Sequence, residues 1–239
     1  MEFKYDDEKS IMISPMALGD NFKGTPFSPD GKIYESESIK KFFNCIEMYW
    51  PSTDRHLNIV DVGAQIGTYS LYAKFLPSCN FFSFEPTQKS YDILNEHLAI
   101  NNITNVKTFK MGISDKVGTA TLNTSKNHNG LHTLGETPLR FDDVEKMTIE
   151  TTTLDEMFKN IRIDLLKIDV EGWEAFVLIG GQNVIRQYKP LIQIEWCPVN
   201  MHQCKVNQTN LMNVIEQLGY RAVYLDGEEM LLHPWGRFT

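Results

Sequence analysis

The 239-residue sequence predicts an α/β protein whose mostly parallel sheet carries helices on both faces. Three observations point there. From Leu57 onward short apolar runs alternate with segments of helical period, the pattern of parallel strands joined by helical crossovers. An acidic residue and two glycines, Asp61, Gly63 and Gly67, stand where the first of those runs passes into its helix. Near the end, RAVYLDGEEMLLHP places a glycine-containing turn between two apolar runs, the mark of an antiparallel hairpin.

The elements follow in order. Residues 1–31 are punctuated by Pro15, Gly19, Gly24, Pro26, Pro29 and Gly31 without a sustained period, so they read as an arm laid on the main body. Ser36 opens a helix in which Ile39, Phe42, Phe43, Ile46 and Tyr49 recur at three- and four-residue steps, ending at Pro51. Strands are expected in LNIVDVG, NFFSFE, NVKTFKM, IDLLKIDV and LIQIEW. Helices are expected from the Gly67 turn to about Leu76, from Thr87 to about Ile100, and from near Gly172. Continuous apolar runs of this kind imply a sheet buried on both faces. Between Gly118 and Thr153 the rhythm breaks: two alternating strands flank a long polar stretch read as a lid over the strand ends. The organisation expected is an arm and aromatic helix over residues 1–56 and one core domain over 57–239, with 118–153 as a strand-and-lid insertion.

Composition excludes several classes. Hydrophobic residues at 42% and charged residues at 23% belong to a chain that folds around a core rather than a disordered or fibrous one. The net charge of −8 repels phosphate backbones, which argues against nucleic acid as partner. No apolar stretch reaches the roughly twenty residues of a membrane helix, and MEFKYDDEKS is too acidic for a secretory signal, so a soluble, cytoplasmic protein is expected. Cys45, Cys79, Cys197 and Cys204 have neither C-x-x-C nor zinc-like spacing and read as reduced, buried thiols.

The segment NIVDVGAQIGTYS carries the most chemistry. Gly63 and Gly67 permit a sharp turn and close approach of a ligand, and the helix start offers unpaired N–H groups. Glu85 ends the next strand about twenty residues on, where an acid conventionally bonds ribose hydroxyls. A dinucleotide site needs a second glycine where Gln65 stands, and Asp61 repels a pyrophosphate. Both objections vanish for a phosphate-free adenosine conjugate bearing an amine, with Asp61 facing its ammonium. S-adenosylmethionine is such a ligand.

With that segment, FSFEP at Phe82 to Pro86, GISD at Gly112 to Asp115, TTLDE at Thr152 to Glu156, LLKIDVEGWE at Leu165 to Glu174 and KPLIQIE at Lys189 to Glu195 occur in order. Together the six blocks resemble the FkbM family of class I methyltransferases. The resemblance spans roughly Val60 to Glu195 and implies a Rossmann-like seven-stranded sheet, S-adenosylmethionine as donor, and transfer usually to a hydroxyl of a sugar or natural product. Carried onto matching positions, it implies a cofactor set of Asp61, Gly63, Ala64, Gln65, Gly67, Ser70, Glu85, Gly112, Ile113 and Asp169. Gln65 stands where the family more often has Asn, and either amide can bond a cofactor carboxylate. The arm before Leu57 lies outside the resemblance.

Asp169 and Glu171 end a strand just before Gly172, where ligands of open α/β sheets sit. Asp169 is the first candidate for general base and His132, in the expected lid, the second, with Glu171 within reach of the same centre. The bland reading of Asp169 is a cap for the helix near Gly172. Glu195 completes a three-carboxylate cluster able to bind Mg²⁺ or hold a hydroxyl, although no metal site is assigned. His128, in the expected lid, and His202 are weaker candidates for the base and are better explained by simple exposure; Trp173, Trp196 and Trp235 could line an acceptor pocket, and packing under loops explains them equally well. The acceptor expected is a small molecule or glycan, and the arm with the aromatic helix offers a surface for a homodimer. Rival readings are a nicotinamide-dependent oxidoreductase, a nucleic-acid methyltransferase and a non-catalytic cofactor-binding module.

Overall fold

Side chains of the parallel strands face helices on both sides, and this burial organises the chain into two apolar layers separated by the sheet. The computed structural model describes residues 1–18, 25–51, 53–125, 132–135 and 144–236. The arm starts with a small hairpin, β1 (Glu2–Lys4) and β2 (Ser10–Met12), and the helix α1 (Ser36–Tyr49) follows. Next come β3 (Leu57–Val62), a 3₁₀ turn (Ser70–Phe75), β4 (Cys79–Phe84), α2 (Gln88–Ile100) and β5 (Val106–Phe109). Three strands form a separate sheet: β6 (Gly112–Ile113), β7 (Gly118–Ser125) and β8 (Val144–Thr152). The chain then runs through α3 (Leu154–Met157), β9 (Leu165–Ile168), α4 (Glu174–Gly180), α5 (Gln182–Tyr188) and β10 (Leu191–Glu195). It closes with α6 (Pro198–Gln203), α7 (Gln208–Gln217), β11 (Tyr220–Asp226) and β12 (Glu229–Pro234).

The main sheet has seven strands in the order β11-β12-β10-β9-β3-β4-β5. Its pairings from β10 to β5 are parallel, and β12 runs antiparallel to both β10 and β11. This is the expected mostly parallel sheet with its closing hairpin. The strand order reverses at β3, with β4 and β5 on one side and β9 and β10 on the other, which opens a crevice at the carboxyl ends of β3 and β9.

Two local expectations change. The segment after Gly67 winds as a 3₁₀ turn rather than an α-helix, ending at Leu76. The helix after Gly172 divides into α4 and α5 because Gly180 and Gly181 sit against Ser114 and Leu154, where a Cβ would lie 2.0 Å from the Ser114 carbonyl oxygen and 2.8 Å from Leu154. The aromatic face of α1 is internal: Phe42 and Phe43 are buried, and Phe43 stacks on Tyr72 at 4.5 Å.

The arm is bound to the core by more than apolar contact. Phe3, Ile11, Phe27 and Ile33 are buried in the same layer as α1. The Tyr5 hydroxyl donates to the Thr68 carbonyl, and Met12 exchanges two backbone hydrogen bonds with the Asn101 amide at 2.8 and 2.7 Å. All four cysteines are free and buried. No helix among the described residues is long and apolar enough to cross a membrane.

At the opposite end of the sheet from the crevice, Asp164 is fully buried at the approach to β9. Arg55 grips both its oxygens at 2.7 and 2.6 Å, and Arg162 Nε and the Asn58 amide donate to it at 2.9 and 3.0 Å. Burial alone would raise this carboxyl, but the arginines and the amide win and hold it below the usual carboxylate range. Breaking a buried charge pair from one side costs about 3–5 kcal/mol, less where the partner is half exposed as Arg55 is here. The Asp164→Asn variant is expected to lose about 2–3 kcal/mol in urea unfolding; a midpoint equal to wild type would show the cluster to be idle.

Candidate active site

The crevice holds a cavity of about 380 Å³, within the roughly 300–1,000 Å³ usual for small-molecule sites. Residues from several parts of the chain wall it. The turn after β3 gives Gly63, Ala64 and Gln65, and the end of β4 gives Phe84 and Glu85. The three-stranded sheet contributes Gly112, Ile113, Leu122 and Ile149, while the arm contributes Tyr34 and Glu35 from the far side. Strands β9 and β10 complete it with Lys167, Asp169, Glu171 and Glu195.

Gly63 has φ 80°, and a Cβ there would lie 1.8 Å from the Asp169 carbonyl oxygen, so only glycine lets the β3 and β9 ends come this close. Gln65, also left-handed at φ 50°, turns its amide toward Glu85 Oε2 at 3.1 Å. Glu85 Oε1 accepts from the Thr87 amide at 2.8 Å and the Thr87 hydroxyl at 2.5 Å. Burial raises the Glu85 carboxyl, and these three donors pull against it. The acid is thereby fixed at the cavity edge, with Phe84, Met111 and Ile113 lining the space beside it. Gly67 serves packing instead: a Cβ there would meet Leu94 at 2.5 Å, and the residue is not in the cavity wall.

Below the turn lies a buried ionic cluster. Lys167 Nζ is 3.2 Å from Asp169 Oδ2, 3.7 Å from Asp61 Oδ1 and 3.2 Å from the Gly63 carbonyl, and it sits 4.8 Å from the Tyr69 ring centroid. Burial works against its charge, but Asp169 and Asp61, with Glu35 and Glu229 behind them, overcome that and keep the ammonium protonated. Asp61 is 1% exposed and takes a 2.6 Å hydrogen bond from Ser70, which in turn meets Ser83 at 2.7 Å. Asp61 and Ser70 thus lie beneath the floor. The Asp61 carboxylate faces Lys167 at 3.7 Å, and Asp61 is not among the residues that line the cavity.

At the other end, Asp169, Glu171 and Glu195 converge with their oxygens within 4.8 Å of one another. Asn200 Nδ2 donates to Glu171 at 2.6 Å and Glu195 at 3.3 Å. Burial, then Asp169 and Glu171, push the Glu195 carboxyl well above its ordinary range, so a proton relieves the crowding. Asp169 does not cap the following helix. That helix starts at Glu174, whose own carboxylate accepts from the Val170 and Gly172 amides at 3.1 and 3.2 Å. His132 reaches the wall because its neighbour Thr133 pairs with Asn123 and donates to the Glu171 carbonyl at 2.9 Å. Trp173 also lines the cavity, its indole donating to Ser114 at 3.0 Å. Trp196 packs in the second core, Trp235 is exposed, and His202 is exposed on α6. His128 and most of the expected lid lie outside the described residues.

Sequence reasoning missed Lys167, Tyr34 and Glu35. The signal for Lys167 was present, since a lysine inside the apolar run LLKI requires a buried counter-charge. Tyr34 and Glu35 follow an irregular arm and carry no local mark.

A seven-stranded, mostly parallel sheet with a closing antiparallel hairpin and a cavity where the strand order reverses is the class I methyltransferase fold. The solved FkbM methyltransferase from Methylobacillus flagellatus KT superposes with a TM-score of 0.51 at 15% identity, over 84% of this chain and 54% of that one. The profile of the methyltransferase FkbM domain matches residues 61–222, and the chain belongs to that family. Among curated relatives, methyltransferase sdnD of Sordaria araneosa is 34% identical over 51% of this chain and 59% of its own length. The hexuronic acid methyltransferase AglP of Haloferax volcanii is 30% identical over 53% of this chain and 50% of its own. The chain thus spans about half the length of the relatives it matches.

Two buried carboxylates outside the cavity wall give stability a definite pH dependence. Burial raises Glu174 to about 7 and, with Asp169, Glu229 to about 8. Both folded-state values exceed the unfolded one, so the stabilisation is complete below about pH 4.5 and is lost as pH rises through about 7 and 8. The melting temperature is expected to fall steadily from about pH 5 to about pH 9. The Glu229→Gln variant should flatten the upper part of that decline, and an unchanged slope would contradict the assignment.

Proposed function

We propose that the protein is an S-adenosylmethionine-dependent methyltransferase acting on a hydroxyl oxygen of a sugar, glycan or small natural product. The observation that carries this reading is a cavity with a fixed acid at the β4 end and no free cation for a phosphate. Among the described residues Lys167 is the one Lys or Arg in its wall, and it is already engaged by Asp61 and Asp169. A pyridine dinucleotide has nothing here to neutralise its pyrophosphate. An adenosine without phosphates fits, with Glu85 to accept from its ribose hydroxyls and Phe84, Met111 and Ile113 beside the base. The sugar named for the Haloferax relative makes glycan acceptors the first to test.

When bound, the cofactor supplies a methyl group on a sulfonium. The chain's share of the work is to orient the two partners and exclude water. Asp169, at the cavity end of β9, is placed to accept the proton of an acceptor hydroxyl. Its carboxylate is held on one side by Lys167, which also balances the negative charge until the proton arrives. Glu171 and Glu195, joined through Asn200, offer further acceptors for neighbouring hydroxyls. His132 lies in the same wall as an alternative base.

Titration calorimetry with S-adenosylhomocysteine tests the cofactor half. The Glu85→Ala variant is expected to bind about 10–100-fold more weakly, the loss of hydrogen bonds to a charged acceptor; equal affinity would remove Glu85 from the site. The acceptor half is read by mass spectrometry of glycans and small molecules from cells with and without the gene, where a gain of one methyl group is expected. With an acceptor in hand, Asp169→Asn should lower turnover about 10²–10⁴-fold while cofactor affinity changes little. Tight cofactor binding with no methylated product in any extract would mark a non-catalytic binding module instead.

A further inference from the structure

We propose that Glu35, supplied by the N-terminal arm, binds the ammonium group of the cofactor's amino-acid tail. The inference rests on the cofactor assignment above and refines it. An amine-bearing ligand needs an acid at the end of the cavity away from Glu85. Asp61, the residue that the sequence offered for this, is beneath the floor and engaged by Ser70 and Lys167. A ligand held by its ribose at the β4 edge and passing over Gly63 carries its tail toward β9, and there the choice among acids narrows.

Five carboxylates line the cavity, namely Glu35, Glu85, Asp169, Glu171 and Glu195. Glu85 is tied to Gln65 and Thr87 at the opposite edge. Asp169 pairs with Lys167, and Glu171 and Glu195 share the Asn200 amide. Among the described residues none forms a hydrogen bond or ion pair with the Glu35 carboxyl. Glu35 occupies the N-cap position of α1, yet its side chain does not cap the helix. It lines the cavity instead, within the field of Asp169, Lys167 and Asp61. Although Glu35 stays open to solvent, desolvation by the surrounding protein and repulsion from Asp169 raise this carboxyl, with Lys167 opposing them. An arriving ammonium would relieve that repulsion and supply the missing donors. The position is held by the arm itself: Ile33 is buried in the core, and the Ser36 amide bonds the Ile33 carbonyl at 3.1 Å.

The test compares two probes that share the adenosine thioether and differ in the tail: S-adenosylhomocysteine, which has it, and 5′-methylthioadenosine, which lacks it. Calorimetry on full-length wild type and Glu35→Gln is expected to show S-adenosylhomocysteine weakened about tenfold and 5′-methylthioadenosine unchanged. The melting temperature should hold, since the substitution removes no contact, and Glu35→Asp should recover part of the affinity. Equal loss for both probes, loss for neither, or tighter binding of S-adenosylhomocysteine, as expected if the tail carboxylate lay there, would each overturn the proposal. Wild type that binds neither probe would overturn the cofactor assignment and this inference with it.

Discussion

A lysine in the middle of a doubly covered parallel strand has no water to solvate it, and its charge must be met by the protein or given up. Lys167 keeps its charge because Asp61 and Asp169, on adjacent strands, converge on it, with the Gly63 carbonyl as a further acceptor. These contacts join the carboxyl ends of β3 and β9 at the point where the strand order reverses. They set the floor of the cavity, orient Asp169 from behind and remove Asp61 from the ligand's reach. The Tyr69 ring beneath the ammonium continues the cluster through a 2.6 Å bond from Gln193 to its hydroxyl, and Gln193 reaches Glu229 at 2.8 Å. The antiparallel hairpin is thus tied electrostatically to the site as well as closing the sheet.

Around that cation the protein collects more acid than it can neutralise. Glu35, Glu171, Glu195 and Glu229 surround a region whose described basic residues are Lys167 and His132. The crowding shows in the raised Glu195 and Glu229 carboxyls, which burial and Asp169 push upward. Such a pocket is costly to the empty protein and favourable to a cationic or hydroxyl-rich visitor. That trade is common at functional sites, where stability yields to binding. It also sets this cavity apart from a phosphate site, which would need the opposite balance.

The arm extends this logic beyond the residues matched by the family. Its hairpin and Phe27 complete the core on one face of the sheet, and its last residues before α1 stand at the cavity.

Much of the fold was legible because its signals are local. Buried strands read as apolar runs, Gly63 marks a turn no other residue can make, and Glu85 ends its strand at a conventional distance from it. What the sequence left out has one cause, since a side chain's partner cannot be read from its own neighbourhood. The strand position of Asp61 marked it for a ligand, but Lys167 on the adjoining strand was invisible from its segment. Glu35 carried no signal, because the arm that delivers it is positioned by packing under α1 rather than by any pattern of its own. Sequence by itself therefore settled the strand and helix pattern, the glycine turn and the family, all matters of short-range stereochemistry and periodicity. Assembly in three dimensions settled which acids are spent on Lys167 and which still face the cavity, because electrostatic pairing depends on distances through space.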